Sequence, residues 1–270
     1  MLSSPWIAAL VALFVWWFST GAILFAVRRA DQGGPHARLW ACLMTLPFLV
    51  LGAAGFIDTL YNPTIAAVYV AFLSALALWG WIELTFLTGT ITGPVTSHSV
   101  PNVSEGERFI RAWGTVAYHE MLLAAVMVAM IILAWGVENQ FGMWTFAVLF
   151  AARISAKLNL YLGVRKVNVE FIPEPLTHLP SHFGTARMNW LFPLSITGLS
   201  FAAACWLERL WTSDTTADTV GFALLSALTA LALLEHWFMV LPLPDEKLWR
   251  WMLPARPQPA QATRLSEETL

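Results

Sequence analysis

Four stretches of this chain carry no charged side chain over about the length needed to cross a bilayer: Met1 to Val27, Leu39 to Ile57, Thr59 to Ile82 and Met188 to Leu207. A hydrocarbon core of roughly 30 Å takes about 20 helical residues. Inside it only helices and closed barrels satisfy their own backbone groups, and continuous apolar runs of this length select helices. Three more segments, near Arg111 to Gly136, Phe141 to Val164 and Val220 to Leu241, reach helix length only if ionisable residues are admitted. Composition agrees, since 58% of the residues are apolar and 12% charged, about half the usual charged share. A water-soluble fold is excluded on these grounds. A net charge of −2 offers no basic field, which argues against nucleic acid as a partner. Cys42 and Cys205 lie singly inside apolar runs and form neither a disulfide framework nor a metal motif.

The expected fold is an all-α polytopic membrane bundle over residues 1–241, with seven spans. They run Pro5 to Val27, Leu39 to Ile57, Thr64 to Leu87, Phe109 to Trp135, Phe141 to Val164, Asn189 to Leu210 and Val220 to Leu241. Alternate connections hold Arg28, Arg29 and Arg38; Arg108 and Arg111; Arg165, Lys166 and Arg187; and Lys247, Arg250, Arg256 and Arg264, which is 12 of the 15 cations. The positive-inside rule then places the N-terminus in the periplasm and the C-terminus in the cytoplasm. Met1 to Val27 lacks a basic n-region and runs into Arg28 and Arg29, so it reads as a retained first helix. Trp16 and Trp17, mid-span, fit no interfacial belt and read as packing or lipid contacts. The connections 88–108 and 165–187 read as ordered caps, and His178 and His182 within the second as solvent-exposed loop residues. Residues 242–253 interleave Trp and Leu with Lys and Arg as an interfacial aromatic segment, and 254–270 read as a disordered cytoplasmic tail.

Function is sought in the charges that violate the apolar pattern. Each costs about 2.5 to 3.5 kcal/mol in hydrocarbon unless it finds a partner or a wet cavity. Glu83, His119, Glu120, Arg153, Lys157, Glu235 and His236 all fall between the midplane and the cytoplasmic surface at a helical rise of about 1.5 Å per residue. A shared site across spans three, four, five and seven is the economical arrangement. Arg153 and Lys157, four apart, share a helix face, whereas Asn159 is turned about 160° from Lys157. Several readings stay open at this point. The charges form structural ion pairs, or a histidine facing a cavity ligates a chlorin or porphyrin, or the layer is a transport or proton path. A Glu/His metal site is the remaining reading, but His119-Glu120 and Glu235-His236 are adjacent doublets and not the three-apart pairs of dimetal bundles. No dedicated metal ligands are therefore assigned.

The segments AFLSALALWGWIELTFLTGTITGP, TVAYHEMLLAA, NQFGMWTFAVLFAARISAKLNLYLGV and LLEHWFMVLPLPDEKLWRWML resemble the PuhE family, photosynthetic complex assembly proteins of anoxygenic phototrophic bacteria. The most specific pieces are SAKLN after a Trp-Thr-Phe helix and LEHW followed by LPLPD. The resemblance covers nearly the whole chain. It implies a multi-pass protein of the bacterial cytoplasmic (inner or intracytoplasmic) membrane, in contact with lipid. Its implied partners are reaction-centre or light-harvesting subunits and other assembly factors. It further implies modulation of bacteriochlorophyll production, without supplying a catalytic mechanism. The family positions that carry over are Glu83, His119, Glu120, Arg153, Lys157, Asn159, Glu235 and His236. The leading expectation is a non-enzymatic assembly factor that handles or senses bacteriochlorophyll or a precursor tetrapyrrole, with His119 or His236 as ligand. The rivals are a membrane metalloenzyme of pigment or quinone metabolism and a protein-only scaffold with a structural charge cluster.

Overall fold

The computed structural model describes residues 2–167, 169–242 and 248. Eight helices follow in order: α1 (Pro5–Gln32), α2 (Gly34–Thr59), α3 (Ile65–Leu87), α4 (Glu105–Gly114), α5 (Ala117–Leu133), α6 (Phe141–Leu162), α7 (Leu191–Thr212) and α8 (Thr216–Phe238). No strand occurs among the described residues, only an isolated bridge between Val164 and Thr185. Six helices are long and apolar enough to cross a membrane, and the bent pair of α4 and α5 makes a seventh span if counted as one. Large apolar side chains such as Leu10, Phe14, Leu51, Phe201 and Trp211 stand exposed on α1, α2 and α7. Such faces are stable only against lipid or another apolar surface, as expected of a multi-pass membrane protein. The interfacial segment assigned to 242–253 lies outside the described residues apart from Pro242 and Leu248, as does the whole 254–270 tail.

The helices start where side chains can take up free backbone N–H groups. Thr64 caps α3 by accepting from Ala67 N, and Thr215 caps α8 by accepting from Asp218 N. Ser104 accepts from Glu107 N at α4, with the Ser-x-x-Glu spacing of a capping box. Two boundaries differ most from the sequence expectation, by five residues each. Helix α1 runs on through Arg28 and Arg29 to Gln32, and α2 begins at Gly34 instead of Leu39. Hydropathy marks where hydrocarbon ends, whereas a helix continues into the headgroup layer as long as its backbone bonds are made. The reversal is left to Gly33 and Gly34, the latter at φ 74°, a conformation L side chains rarely adopt.

The larger correction concerns the fourth span. Phe109 to Trp135 was expected as one helix, but the chain breaks at Thr115 and Val116, and α4 stands at 69° to α5. No proline is responsible. The connection after α3 inserts into the backbone ladder: His119 N donates to Thr92 O at 2.9 Å, and Val95 N donates to Gly114 O at 3.1 Å. The approach is close enough that a Cβ on Gly93 would lie 2.1 Å from Gly114 O.

Helices α3 and α8 form the enclosed centre, with α2 and α6 against α3 and with α1 and α7 against α8. Small residues set the spacing, as is usual where lipid offers no hydrophobic gain for helix association. Gly55 of α2 passes over Ser74 of α3, and Gly221 of α8 seats the Phe141 ring. A Cβ at Gly221 would fall 2.2 Å from Phe141 Cε1. Gly221→Ala is therefore expected to cost about 1–3 kcal/mol through overpacking, read as a lowered thermal midpoint of the purified protein in detergent. An unchanged midpoint would contradict this packing.

Candidate functional site

Helix α6 brings the intramembrane polar residues together. Positions 153, 155, 157 and 159 alternate, and successive members of the set are turned by about 200°. Two opposed polar faces result, one carrying Arg153 and Lys157 and the other Ser155 and Asn159. Each residue engages a different helix. Arg153 Nη2 donates to Glu83 Oε2 on α3 at 2.8 Å. Lys157 Nζ donates to Glu120 Oε1 on α5. Ser155 Oγ lies 2.8 Å from His236 Nε2 on α8, and Asn159 Nδ2 donates to Ser195 Oγ on α7 at 2.8 Å.

Two of the three carboxylates thus neutralise the two cations in pairs, as their transfer cost demands. Glu83 and Glu120 are nine-tenths buried, and Lys157 exposes 19% of its side chain. His119 is fully enclosed beside the first pair. Its Nε2 lies 3.6 Å from Glu83 Oε1, its ring is 4.5 Å from that of Phe86, and neither nitrogen has a hydrogen-bond partner among the described residues. His236 is also buried, but both of its nitrogens are engaged. Ala232 O, 2.8 Å from Nδ1, can only accept. Nδ1 therefore carries the proton, and in the neutral ring Nε2 accepts from Ser155. Glu235, adjacent in sequence and lining the same cavity, has a different partner. It is exposed and accepts a 2.9 Å hydrogen bond from Trp16 Nε1, which gives the mid-span Trp16 a polar role beyond packing.

The single layer expected from the sequence is therefore divided around two cavities. One, about 370 Å³, lies between α1, α3, α6 and α8; Trp16, Trp79, Glu83, Arg153, Glu235 and His236 line it, with aliphatic side chains between them. The other, about 310 Å³, lies beneath α4, and Glu120, Arg153 and Lys157 reach its floor. Arg153 borders both. His119 and Asn159 border neither. No group of three or more His, Cys, Asp or Glu side chains is placed to hold a metal ion among the described residues.

Two further participants have no signal of their own in the sequence, and a third has one. Ser155 and Ser195 are hydroxyls in apolar helices, recognisable only once their neighbours are known. Asn189 could have been found as a capping-type residue before an apolar run. Its Oδ1 accepts from Leu191 N and Phe192 N, while Nδ2 donates to Asn159 O and Gly163 O. In the 165–187 connection His178 and His182 are buried instead of solvent-exposed. Short 3₁₀ turns at Glu174–Leu176 and Leu179–His182 fold them inward, and His182 Nε2 lies 3.0 Å from Ser97 O. Burial, followed by the charges of His182 and His98, holds the His178 imidazole below its ordinary range.

Two outcomes follow. Arg153→Met leaves Glu83 buried without its cation and is expected to cost about 3 kcal/mol or more. The double variant Glu83→Gln/Arg153→Met should recover most of that loss in a thermal melt, whereas equal losses would deny the pairing. For His178, a depressed folded-state value means that stability falls as pH drops below about 6.5, the unfolded value. Hydrogen exchange over residues 176–182, corrected for intrinsic rates, should rise between pH 7.5 and 5.5 and do so far less in His178→Asn.

The family described as "Protein of unknown function (DUF3623)" matches residues 2–260, and the chain belongs to it. A similar protein of Rhodobacter capsulatus carries the description "Uncharacterized 30.4 kDa protein in puhA 5'region". It is 52% identical over 260 residues, which cover 96% of this chain and 95% of that protein. No solved structure matches significantly.

Proposed function

We propose that this DUF3623 member is a membrane-embedded assembly factor for photosynthetic reaction-centre or light-harvesting complexes, and that its α1 cavity handles bacteriochlorophyll or a precursor tetrapyrrole. One observation carries the pigment reading. His236 lines a mostly aliphatic, Trp-bearing cavity with its Nδ1–H fixed on Ala232 O, and its Nε2 is an acceptor that becomes a ligand when the Ser155 hydroxyl now donating to it turns aside. That orientation is the one by which proteins prepare an imidazole to ligate a metal centre. A volume of about 370 Å³ falls within the range of small-molecule sites, and the exposed Glu235 marks where the cavity reaches the surface of the bundle. The residues fit the group at His236 and not at His119, which borders no cavity. A bound tetrapyrrole would supply light absorption and a central metal. The protein supplies the imidazole, the Trp16 and Trp79 walls and a neutral ion-paired partition. The relative named for the puhA 5′ region supports the assembly role, and the cation distribution of the sequence supports the cytoplasmic membrane with a periplasmic N-terminus.

A scaffold reading draws on the same ion pairs. Glu83–Arg153 and Glu120–Lys157 join α3, α5 and α6 without any ligand. Spectroscopy separates the two. Protein purified in mild detergent from pigment-making cells is expected to carry a tetrapyrrole absorption band. His236→Ala should lose or shift that band, while His119→Ala keeps it. Pigment-free protein that also takes up no added bacteriochlorophyllide would leave the scaffold.

A further inference from the structure

The break between α4 and α5 creates the second cavity, which the pigment reading does not use. Its walls are aromatic: Phe86, Phe109, Trp113, Tyr161 and Phe183. Phe109 meets Tyr161 edge to face with ring centroids 5.5 Å apart, and the Arg108 guanidinium lies 4.3 Å from the Tyr161 centroid. Phe109, Trp113 and Leu158 are also exposed on the outside of the bundle, so the mouth opens where lipid lies. The floor is polar. Lys157 Nζ binds Glu120 Oε1 and sits 5.0 Å over the Phe86 ring, which leaves the second carboxylate oxygen unspoken for. Glu120 is 9% exposed, and its Oε2 has no hydrogen-bond partner among the described residues. A buried carboxylate oxygen without a donor is costly to maintain, and a ligand that brings one is favoured by that cost.

We infer that the α4 cavity binds a hydroxylated aromatic amphiphile of the quinol class, its ring between the aromatic walls and a ring hydroxyl donating to Glu120 Oε2, which is enclosed in this structure and swings toward the cavity on binding. The chemistry of the floor selects against other membrane amphiphiles. A deprotonated carboxylate or phosphate has no hydrogen to donate to Oε2, and the floor cations Arg153 and Lys157 are already paired with Glu83 and Glu120. A plain hydrocarbon tail leaves Oε2 as it stands. A flat ring matches the edge-to-face packing preferred by aromatic walls, and Lys157 keeps further N–H donors for a second ring oxygen. A volume of about 310 Å³ holds one substituted ring and the start of a tail, which leaves between Phe109 and Trp113. The oxidised form lacks the hydroxyl, so the site distinguishes quinol from quinone.

Calorimetric titration of the full chain in lipid nanodiscs tests this, with decylubiquinol, decylubiquinone and lauric acid as probes. The quinol is expected to bind saturably, about tenfold or more tighter than the quinone, the order supplied by one buried charge-assisted hydrogen bond. Glu120→Gln should bring the two forms within about twofold. Ala112→Phe, which fills the cavity without touching a charge, should abolish binding of both, and Leu158→Trp at the lip does the same should Ala112→Phe fail to fold. The inference is overturned by absent quinol binding, by equal affinity for the two forms in the unsubstituted protein, by lauric acid matching the quinol, or by unaltered binding in a folded cavity-filling variant.

Discussion

The bundle depends on the requirement that polar groups inside a bilayer find partners within the protein, and α6 meets it for most of the structure. Four alternating side chains, Arg153, Ser155, Lys157 and Asn159, tie α6 to α3, α8, α5 and α7 respectively. Apolar packing alone orients helices weakly in lipid, because one greasy face is as well solvated as another. A guanidinium that must meet a particular carboxylate fixes both rotation and depth. The two opposed polar faces of α6 accordingly set the positions of four neighbours, and the small residues along α2, α3 and α8 let the remaining helices close around them.

That arrangement also keeps the cavities distinct. Glu83 and Arg153 stand between them as a neutral pair, with the His236 imidazole on one side and the Glu120 carboxylate on the other. The cavities differ in origin. The α1 cavity is a gap among four continuous spans, lined by aliphatic side chains and two indoles. The α4 cavity exists because a helix was diverted, and part of its wall comes from an amphipathic segment in which Glu107 and Arg111 pair with each other and the half-exposed Phe109 and Trp113 border the cavity.

Much of this was legible in the sequence, since a bilayer reduces the choice of structure to a count of helices. The spans, their order and the residues that violate them follow from the charges alone. The shared face of Arg153 and Lys157, and the opposite setting of Asn159, follow from helical geometry. What could not be read is which helices become neighbours, because hydropathy carries no information about lateral order. Hence Ser155 gives no sign of its role, although it lies four residues before Asn159 on the same face, and Glu235 and His236, which line one cavity, engage Trp16 and Ser155 on different helices. The α4–α5 break was hidden for a related reason. Gly114 alone hints at it, and the groups that replace the lost ladder bonds come from Thr92 and Val95.

The insertion of Thr92 and Val95 bears on the order in which the chain can assemble. Backbone groups of Gly114 and His119 are satisfied by Val95 and Thr92, 19 and 27 positions earlier in the chain, so the segment that completes α5 has already been synthesised when α5 emerges. A nascent chain never has to hold this unwound turn in hydrocarbon while waiting for its partner. The bend is thus compatible with vectorial insertion, because α3, its following connection and α5 satisfy one another's backbone as a unit.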